Sequence, residues 1–445
     1  MIALSVGIIL VLILMGMSVP WCFLCGSLIY VITTGSSTGS FVSTAFYSLE
    51  STSTLAIPLF MAAGVLLEKS GIARTLIDLA EKLVGKLKGG MGATIPVVAC
   101  FFGALSGSGT ATVTTLSSMM APRLRELGWD KRYLAAFIAA CGPLGYMIPP
   151  NMNAILYANV SSASISGLFL ATVIPGLIWA GLYLVINRVT YKKWYDPAKM
   201  GHRDSTTDQI IPLTEEELAA LQKNEKWSKV LKSAIPAFLM PVIIMGGIYG
   251  GIFNATEAGG VGCLYGVIVG VFVYRTLKGK EVFNAFVGTG SSLGSFLIMF
   301  PMTLIFSRIM VTNGVPDMIT NMITGVSDNR YVILFIVNIL LLIIGTFMDM
   351  TPACLIFTPI FLPICQQLGM NTVHFGIMMI FNLCIGTITP PVGTTLFVGV
   401  KVGQTKIENV IKQLLVYFVA IFIVLLLVTY VPILSMWLPG LLGYV

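Results

Sequence analysis

Cys141-Gly-Pro-Leu-Gly-Tyr-Met-Ile-Pro-Pro-Asn151 lies in the middle of an apolar run, about 131–158, that would otherwise predict one membrane-spanning helix. Because proline has no N–H group, the two adjacent prolines leave the carbonyls of Gly145 and Tyr146 without their helical hydrogen-bond donors. Inside a bilayer such carbonyls need a partner from protein or ligand, and broken helices near mid-membrane form substrate and cation sites in transporters. The stretch is therefore a candidate binding site.

The same kind of break occurs again at Gly386-Thr-Ile-Thr-Pro-Pro-Val-Gly393, within the apolar run 374–400. Its two prolines leave the carbonyls of Gly386 and Thr387 without helical donors. A constant offset between two such regions indicates a duplicated unit. Prolines and glycines here keep one separation of 241 positions, in the pairs Pro122/Pro363, Gly128/Gly369, Gly145/Gly386, Pro149/Pro390 and Pro150/Pro391.

The composition is that of a membrane protein. Of 445 residues, 56% are hydrophobic and 10% are charged, and the mean hydropathy is +0.91, whereas soluble domains have about 25% charged residues. A soluble fold is therefore excluded. The net charge of +7 comes from lysines and arginines in short loops, a pattern typical of membrane topology and not of nucleic-acid binding. The eight cysteines lie in apolar stretches without framework spacing, which predicts free, packed thiols.

A short apolar run predicts a re-entrant hairpin in the first half. Residues 94–105 would form a helix about 18 Å long, but a membrane span needs about 30 Å. Ser106-Gly-Ser-Gly-Thr110 follows, and a second short run ends at Pro122. We therefore predict a hairpin over 94–124 with its tip at mid-membrane, where serine oxygens would face a cation. The alternative is a small-residue face for helix packing.

The chain divides into two predicted repeats and a linker. Residues 1–187 form the first repeat, and residues 233–445 form the second. Between them, 188–232 is hydrophilic with basic flanks, which predicts a cytoplasmic linker. The second repeat contains another predicted hairpin, about 331–365, with the carboxylate of Asp349 at its tip. The predicted fold class is an all-α polytopic membrane protein with two re-entrant helical hairpins and two broken helices.

Two local patterns predict helix positions outside the breaks. Residues 68–92 alternate charged residues with apolar ones at helical spacing, which predicts an amphipathic helix that lies on the membrane surface or packs on its neighbours. Its apolar positions are Ile72, Leu76, Leu79 and Leu83. Asn254 and Glu257 have the spacing of a capping box at a helix start, with a functional role for Glu257 as the alternative.

Several stretches together resemble one known family. They are Leu55-Ala-Ile-Pro-Leu-Phe60, Gly89-Gly90, Phe102-Gly-Ala-Leu-Ser-Gly-Ser108, Gly142 to Pro150, Thr256-Glu-Ala258, Thr358-Pro-Ile-Phe-Leu-Pro363 and Ile388-Thr-Pro-Pro-Val-Gly393. The sequence resembles the large membrane subunit (M subunit, or DctM-like permease) of tripartite ATP-independent periplasmic (TRAP) transporters over nearly its whole length. It departs from the family at Ala255, where proline is usual, and at Asn151, where serine is usual.

The resemblance implies an inverted-repeat, elevator-type transporter, in which two hairpins and two broken helices move against a scaffold. It implies uptake of a small organic anion such as a dicarboxylate, sugar acid or sulfonate, coupled to Na⁺ and without any other cofactor or enzymatic activity. The implied partners are a small four-helix membrane subunit, expected on another chain, and a periplasmic substrate-binding protein. The implied location is the bilayer of the bacterial inner membrane.

The resemblance also implies which residues bind sodium. The first sodium site would use the side chains of Ser106 and Ser108 with the carbonyls of Gly145, Ile148 and Pro150. The second would use Gly345, Gly386 and Thr389, with Asp349 nearby. For the substrate we predict Ser108, Asn151 and Arg308.

Arg308 is predicted to bind the substrate because an arginine in a membrane helix is energetically unfavourable unless it has a function. An arginine within an apolar stretch is disfavoured by about 2.5–3.5 kcal/mol at the centre of a membrane helix. Its planar guanidinium suits a carboxylate or sulfonate, which favours a substrate contact in the transport cavity. The alternative is that Arg308, only a few residues before Asn313-Gly-Val-Pro316, reaches a nearby membrane interface with its long side chain.

Three other functions fit parts of the sequence. A stand-alone sodium-coupled carboxylate transporter would need no binding protein, and a channel would conduct without saturating. An intramembrane serine hydrolase would use Ser106 or Ser108, with His374 as its base, but His374 is also placed to cap a helix near the interface. The sequence lacks the phosphate-binding motif Gly-x-x-x-x-Gly-Lys-Ser/Thr, so transport driven by ATP is unsupported.

Overall fold

The computed structural model describes residues 1–50, 52–203, 210–211 and 226–444. The helices of the first half are Ile2–Leu14, Val19–Thr34, Thr38–Glu50, Thr52–Lys69, Ile72–Val84, Thr94–Ser106, Gly109–Met119, Ala121–Glu126, Lys131–Cys141, Leu144–Met147, Met152–Ser161 and Ile165–Trp194. Those of the second half are Trp227–Tyr249, Ala255–Ile268, Gly279–Thr312, Val315–Thr324, Arg330–Phe347, Met350–Gln367, Thr372–Gly386, Thr394–Val402, Ile407–Tyr430 and Ile433–Leu441. A 3₁₀ turn, Gly90–Ala93, and a π-helical turn, Val269–Val273, complete the helical structure of the described residues.

Many of these helices are suited to a membrane. In the described residues, seven helices are long and apolar enough to cross a bilayer, and the number rises to nine if each of two bent helix pairs is one span. One bent pair is Phe41–Glu50 with Thr54–Lys69, at 51°, and the other is Lys131–Met147 with Met152–Ser161, at 46°. The predicted mostly helical, polytopic membrane protein is confirmed.

The two broken helices lie in the centre of the molecule. Tyr133 to Cys141 in the first, and Val373 to Gly386 in the second, are buried on every side. A helix that is apolar all round needs protein or lipid on every side. The longer spans, by contrast, expose apolar side chains such as Val189 and Leu415, 74% and 55% exposed, where lipid would lie. The packing therefore surrounds the first proline break with protein, whereas Pro390, Pro391 and Val392 of the second break are exposed.

Half-helices from the two broken helices pack against each other. Gly399 and Gly403 of Thr394–Val402 lie against Ala139 and Ala135 of Lys131–Cys141, so these two half-helices are antiparallel. In the reciprocal contact, Tyr157 of Met152–Ser161 packs on Gly376 of Thr372–Gly386 and donates a 2.7 Å hydrogen bond to the Thr372 carbonyl. Each half of the chain thus contributes to the packing of the other half's break.

Several loops and helix ends near basic residues contact one another. The Lys82 ammonium lies 5.5 Å from the centre of the Trp227 ring, and Asn187 donates to the Gly89 carbonyl at 3.4 Å. Thr276 donates to the Ser70 carbonyl at 2.7 Å, next to Lys69. Three loop regions that carry basic residues are thus held by contacts between segments distant in the chain.

The predicted linker differs in extent from the structure. The helix Ile165–Trp194 continues past residue 188, and the next described helix begins at Trp227, before residue 232. Two antiparallel strand pairs that the sequence did not predict lie here: Leu127–Trp129 with Tyr195–Met200, and His202–Arg203 with Ile210–Ile211. The acidic residues 215–217 lie outside the described residues.

The amphipathic helix Ile72–Val84 packs on neighbouring helices. Ile72, Leu76 and Leu79 are buried, and Leu79 packs against Val230 and Ala234. Of the two predicted alternatives, a helix on the membrane surface or a helix packed on its neighbours, the second therefore describes this helix. Leu83, which we predicted on the apolar face, is 49% exposed because the buried stripe ends one turn earlier.

Other local predictions are confirmed. Glu257 N–H donates to the Asn254 side-chain oxygen, and Asn254 N–H donates to the Glu257 carboxylate, each at 2.9 Å, which is a complete capping box. His374 is buried and bonds through Nε2 to the Val428 carbonyl at 2.8 Å, in the last turn of Ile407–Tyr430. It therefore caps that helix. All eight cysteines are free.

Candidate cation and substrate site

The first break forms as the prolines predict. Ile148 N–H donates to the Leu144 carbonyl at 3.0 Å and is the last main-chain donor before the cis-linked Pro149 and Pro150. Since neither proline has an N–H, the carbonyls of Gly145 and Tyr146 receive no hydrogen bond from four residues ahead. The chain resumes as a helix at Met152.

Glycine packing joins the first hairpin to this break. A Cβ atom on Gly103 would lie only 2.8 Å from the Cα of Gly145, and one on Gly107 would lie 2.6 Å from the Pro150 carbonyl oxygen. Gly107 also has φ +60°, which suits glycine, where the first arm Thr94–Ser106 ends. Larger residues would hold the hairpin tip away from the break.

The two serines of the first hairpin form its tip. Ser108 N–H donates to the Ser106 hydroxyl at 3.3 Å, so the Ser106 side chain turns back over the tip. Ser108 is the N-cap of Gly109–Met119, and its hydroxyl accepts from Ala111 N–H at 3.4 Å. Its main-chain oxygen faces Gly145, since a Cβ atom there would lie 2.7 Å from it. The structure thus brings Ser106, Ser108, Gly145 and Pro150 together.

Asn151 has one satisfied and one unsatisfied side-chain atom. Its Oδ1 accepts from Ala154 N–H at 2.6 Å and caps the helix Met152–Ser161. Asparagine therefore performs the capping that serine would perform at this position. The side chain is 1% exposed, and its Nδ2 has no hydrogen-bond partner among the described residues. A buried amide N–H₂ without a partner is a donor suited to an anion and not to a cation.

The second break repeats the glycine contact. A Cβ atom on Gly386 would lie 2.6 Å from the Cα of Gly345, in the first arm Arg330–Phe347 of the second hairpin. Val392 N–H donates to the Thr346 carbonyl at 3.2 Å, which fastens the break to the hairpin. Asp349 occupies the N-cap position of Met350–Gln367, as Ser108 does in the first hairpin.

The carbonyls of the second break are not left without donors, which corrects the prediction from the prolines. Gly386 O accepts from Thr389 N–H at 3.0 Å, and Thr387 O accepts from Thr395 N–H at 3.0 Å. The Thr395 hydroxyl donates to the same Thr387 carbonyl at 2.8 Å. The chain turns tightly after Gly386, so that Thr389, before the prolines, and Thr395, beyond them, both reach back to these carbonyls. A carbonyl has two lone pairs, so the Gly386 oxygen retains one for a cation, whereas both lone pairs of the Thr387 oxygen are used by Thr395.

Sequence reasoning missed the threonines of the second break. Thr387 and Thr395 lie on either side of the two prolines, and their hydroxyls are 3.2 Å apart. Thr394 Oγ1 is buried and has no partner among the described residues. The signal was present as four threonines within 387–395, but only Thr389 was assigned from the family resemblance.

The hydrogen bond of the Arg308 side chain is to a helix outside both breaks. Its guanidinium is exposed and donates to the Thr44 hydroxyl of Thr38–Glu50, a helix that the sequence did not predict. Within the described part of the chain, no hydrogen bond or ion pair joins Arg308 to Ser108, Asn151 or Asp349. Its predicted role in substrate binding stays a prediction.

Solved structures share this fold. The chain superposes on the crystal structure of the Alcanivorax borkumensis YdaH transporter with a TM-score of 0.62 at 15% identity, which covers 93% of this chain and 89% of that one. It superposes on Neisseria gonorrhoeae MtrF, from a class of antimetabolite efflux pumps, with a TM-score of 0.55 at 15% identity, over 90% and 83% of the two chains. At this identity the likeness is one of fold.

Sequence comparisons are more specific. The chain is 38% identical over 396 residues to the isethionate TRAP transporter permease protein DctMQ of Oleidesulfovibrio alaskensis, covering 89% of this chain and 59% of that protein. It is 33% identical to the C4-dicarboxylate TRAP transporter large permease protein DctM of Pseudomonas aeruginosa, over 94% of both chains. A family model described as the tripartite ATP-independent periplasmic transporter, DctM component, matches residues 6–434. The chain therefore belongs to the DctM family of TRAP transporter large permeases, which are membrane transporters and not enzymes.

Proposed function

We propose that this chain is the large permease of a sodium-coupled uptake system for a small organic anion. A periplasmic binding protein delivers the anion, and a small membrane subunit assembles with this chain in the bacterial inner membrane. The observation that carries the proposal is the pair of helix breaks, each packed glycine on glycine against the first arm of a hairpin. Broken helices of this kind place carbonyl and hydroxyl oxygens where Na⁺ binds in secondary transporters.

Contacts near the centre support an inverted repeat. Pro143 and Cys384 are equivalent under the 241-residue offset, and Cys384 Sγ lies 3.9 Å from the Pro143 carbonyl oxygen. A contact between equivalent residues is expected beside a two-fold axis. The exchange of half-helix contacts, Ala135 with Gly403 and Tyr157 with Gly376, has the same reciprocal form. This symmetry underlies the elevator motion that we propose for the hairpins and broken helices.

Two sodium sites follow from the two breaks. For the first, we propose that the Ser106 and Ser108 side chains bind Na⁺ with the carbonyls of Gly145 and Pro150. In support, the Ser108 main-chain oxygen lies against Gly145, and Gly107, between the two serines, lies against the Pro150 carbonyl. For the second, we propose that Asp349 supplies a carboxylate and that Gly345, Gly386 and Thr389 supply further oxygens. Hard cations prefer such oxygen ligands. Na⁺ is thus a co-transported ion of the proposed reaction and not a resident cofactor.

Asn151 is the residue that we propose for the anionic substrate. Its Nδ2 is buried and has no hydrogen-bond partner among the described residues, and its Cα lies against Gly107 at the tip of the first hairpin. Hydrogen bonds to a charged group contribute about 1.5–3 kcal/mol, more than neutral ones. The relatives that transport isethionate and C4-dicarboxylates have anionic substrates in common. We therefore propose a carboxylate or sulfonate of similar size.

The experiment is uptake into proteoliposomes that hold this chain with its small subunit. We expect substrate to accumulate only with the binding protein present and with sodium higher outside. An inside-negative potential should increase uptake if two Na⁺ accompany a monoanion, since each net charge gains about 2.3 kcal/mol per 100 mV. Equal uptake in potassium would contradict sodium coupling. Full uptake without the binding protein would favour a stand-alone carrier.

A further inference from the structure

A cavity of about 640 Å³ opens at the start of the first broken helix. Residues 128–132, which end one strand and begin Lys131–Cys141, line one wall. Residues 192–196 and Lys199, at the end of Ile165–Trp194, line the opposite wall, and Asn409 completes the lining. None of the hairpin-tip residues lines it, so it is separate from the proposed transport site.

The cavity lining is basic. It holds five basic side chains, Lys131, Arg132, Lys192, Lys193 and Lys199, and two acidic ones, Asp130 and Asp196. The two carboxylates are already paired within the described residues, Asp130 with Arg132 at 3.2 Å and Asp196 with Lys199 at 3.3 Å. Lys131, Lys192 and Lys193 are therefore left to give the cavity its positive charge.

Asp130 does not reduce this charge further. Burial would raise the pKa of Asp130, but hydrogen bonds from the Arg132 side chain and from the N–H groups of Arg132 and Tyr133 outweigh it and lower the pKa below its usual value. Asp130 is thus ionised at neutral pH and stays committed to Arg132 and the helix N-terminus. The three lysines remain the groups that face an anion.

The cavity walls are fixed before any ligand arrives. Asp130 N–H donates to the Trp194 carbonyl at 2.9 Å, and the strand Leu127–Trp129 pairs with Tyr195–Met200. Trp129 stacks on Tyr133 with ring centres 5.7 Å apart, and Lys193 lies 5.2 Å from the centre of the Trp194 ring. Lysine and tryptophan together at a helix end are typical of the membrane interface.

The length of Ile165–Trp194 places the cavity at headgroup depth. Its 30 residues extend about 45 Å, whereas the hydrocarbon core is about 30 Å thick and the bilayer with headgroups about 40–45 Å. Val185 and Val189 on this helix are 56% and 74% exposed, so an apolar lipid-facing surface continues to within one turn of Lys192 and Lys193.

From this combination we propose that the cavity binds the phosphate headgroup of an anionic phospholipid. The lysines face the phosphate, and the acyl chains lie along the exposed apolar side of Ile165–Trp194. A soluble anion would use the lysines but not the adjoining apolar surface. Basic pockets between membrane helices on the cytoplasmic side recognise lipid headgroups in the same way.

The test is native mass spectrometry of the purified chain titrated with phosphatidylglycerol or phosphatidylcholine. We expect selective retention of phosphatidylglycerol. The triple variant Lys131→Gln/Lys192→Gln/Lys193→Gln should bind it roughly a hundredfold more weakly, at about fivefold for each lysine. The matched control is Lys86→Gln/Lys88→Gln/Lys280→Gln, which removes the same charge outside the cavity and should bind like the wild type.

A charge-preserving variant keeps the test decisive if the glutamine variant folds poorly. Lys131→Arg/Lys192→Arg/Lys193→Arg should retain selective binding of phosphatidylglycerol. Equal binding by the wild type and the glutamine variant would overturn the proposal. So would displacement of the lipid by millimolar inorganic phosphate, because that result assigns the cavity to a soluble anion.

Discussion

The two breaks have the same backbone packing but different chemical groups. In the first, Gly145 packs on Gly103, and in the second, Gly386 packs on Gly345. The first tip carries a neutral serine at the helix N-cap position, where the second carries Asp349. The duplicated element is therefore the close backbone contact, while the side chains that complete each site have diverged.

One repeated backbone framework can therefore serve two different ligands. A carboxylate attracts a cation more strongly than hydroxyls and carbonyls do, so we infer that the second break has the higher sodium affinity. The first break has an amide donor on Asn151 that no other described residue pairs with, which suits an anion beside a weakly held cation. The predictions below test the shared packing first and then the diverged side chains.

The largest effect is expected from Gly386→Ala. Its methyl group would lie 2.6 Å from the Cα of Gly345, a main-chain atom that cannot move aside alone. Overpacking of this kind costs about 1–3 kcal/mol, so both thermal stability and uptake should fall sharply. Thermal unfolding of the purified protein checks this. The control is Gly181→Ala, where a Cβ atom would meet nothing within 4 Å, and a similar loss in both variants would refute the packing argument.

A smaller effect, confined to function, is expected from Asp349→Asn. The amide keeps the size of the side chain but removes its charge, and interactions with charged groups contribute about 1.5–3 kcal/mol. The sodium concentration for half-maximal uptake should therefore rise about tenfold or more, with expression unchanged. A sodium titration of uptake measures it. Unaltered sodium dependence in a folded variant would remove Asp349 from the site.

Ser108→Ala should act in the same direction but less strongly. It removes one neutral oxygen donor, which contributes about 1 kcal/mol, so the half-maximal sodium concentration should rise about fivefold. The same titration compares it with Asp349→Asn. A larger effect for Ser108→Ala than for Asp349→Asn would reverse our ranking of the two breaks.

Asn151→Asp separates helix capping from substrate binding. Aspartate caps a helix as well as asparagine does, but it replaces the unpaired donor with an anionic oxygen. We expect a half-saturating substrate concentration raised about tenfold, without the loss of sodium affinity that Asp349→Asn should cause, because the added charge lies near the first sodium site. Asn151→Ser is the control, since serine keeps both a capping oxygen and a donor. Wild-type substrate affinity in Asn151→Asp would show that Nδ2 does not face the substrate.

The smallest effect is expected from Arg308→Lys. Because Arg308 is exposed and hydrogen-bonded to Thr44, its surroundings fit a membrane-interface anchor, and lysine can serve that role. Substitutions at such positions are usually within about 0.5 kcal/mol, so substrate affinity should stay within about twofold. A much larger loss would show that the planar guanidinium binds the anion, as we predicted from the sequence.

The sequence contained the information on where the helices break because proline acts locally. Pro149 and Pro150 remove donors whatever surrounds them, and the capping box at Asn254 involves residues only three apart. Short apolar runs likewise limited helix length. These features depend on neighbours in the chain, so they could be predicted without knowledge of the tertiary structure.

The sequence did not contain the partners that tertiary packing supplies. The carbonyl of Thr387 is satisfied by Thr395 from beyond the break, and Leu83 is exposed because its helix meets neighbours along a narrower stripe. The strand Leu127–Trp129 pairs with a segment far along the chain. Such contacts depend on the approach of distant segments, which local pattern does not determine.

The most direct test of the central claim, that each break binds one Na⁺, is the sodium stoichiometry of transport. It is measured in proteoliposomes with binding protein as the equilibrium substrate gradient at several sodium gradients, with the membrane potential clamped near zero. Two sites predict that the logarithm of the substrate ratio rises with a slope of two against the logarithm of the sodium ratio. A slope of one would contradict the account, since one break would then carry no coupled ion.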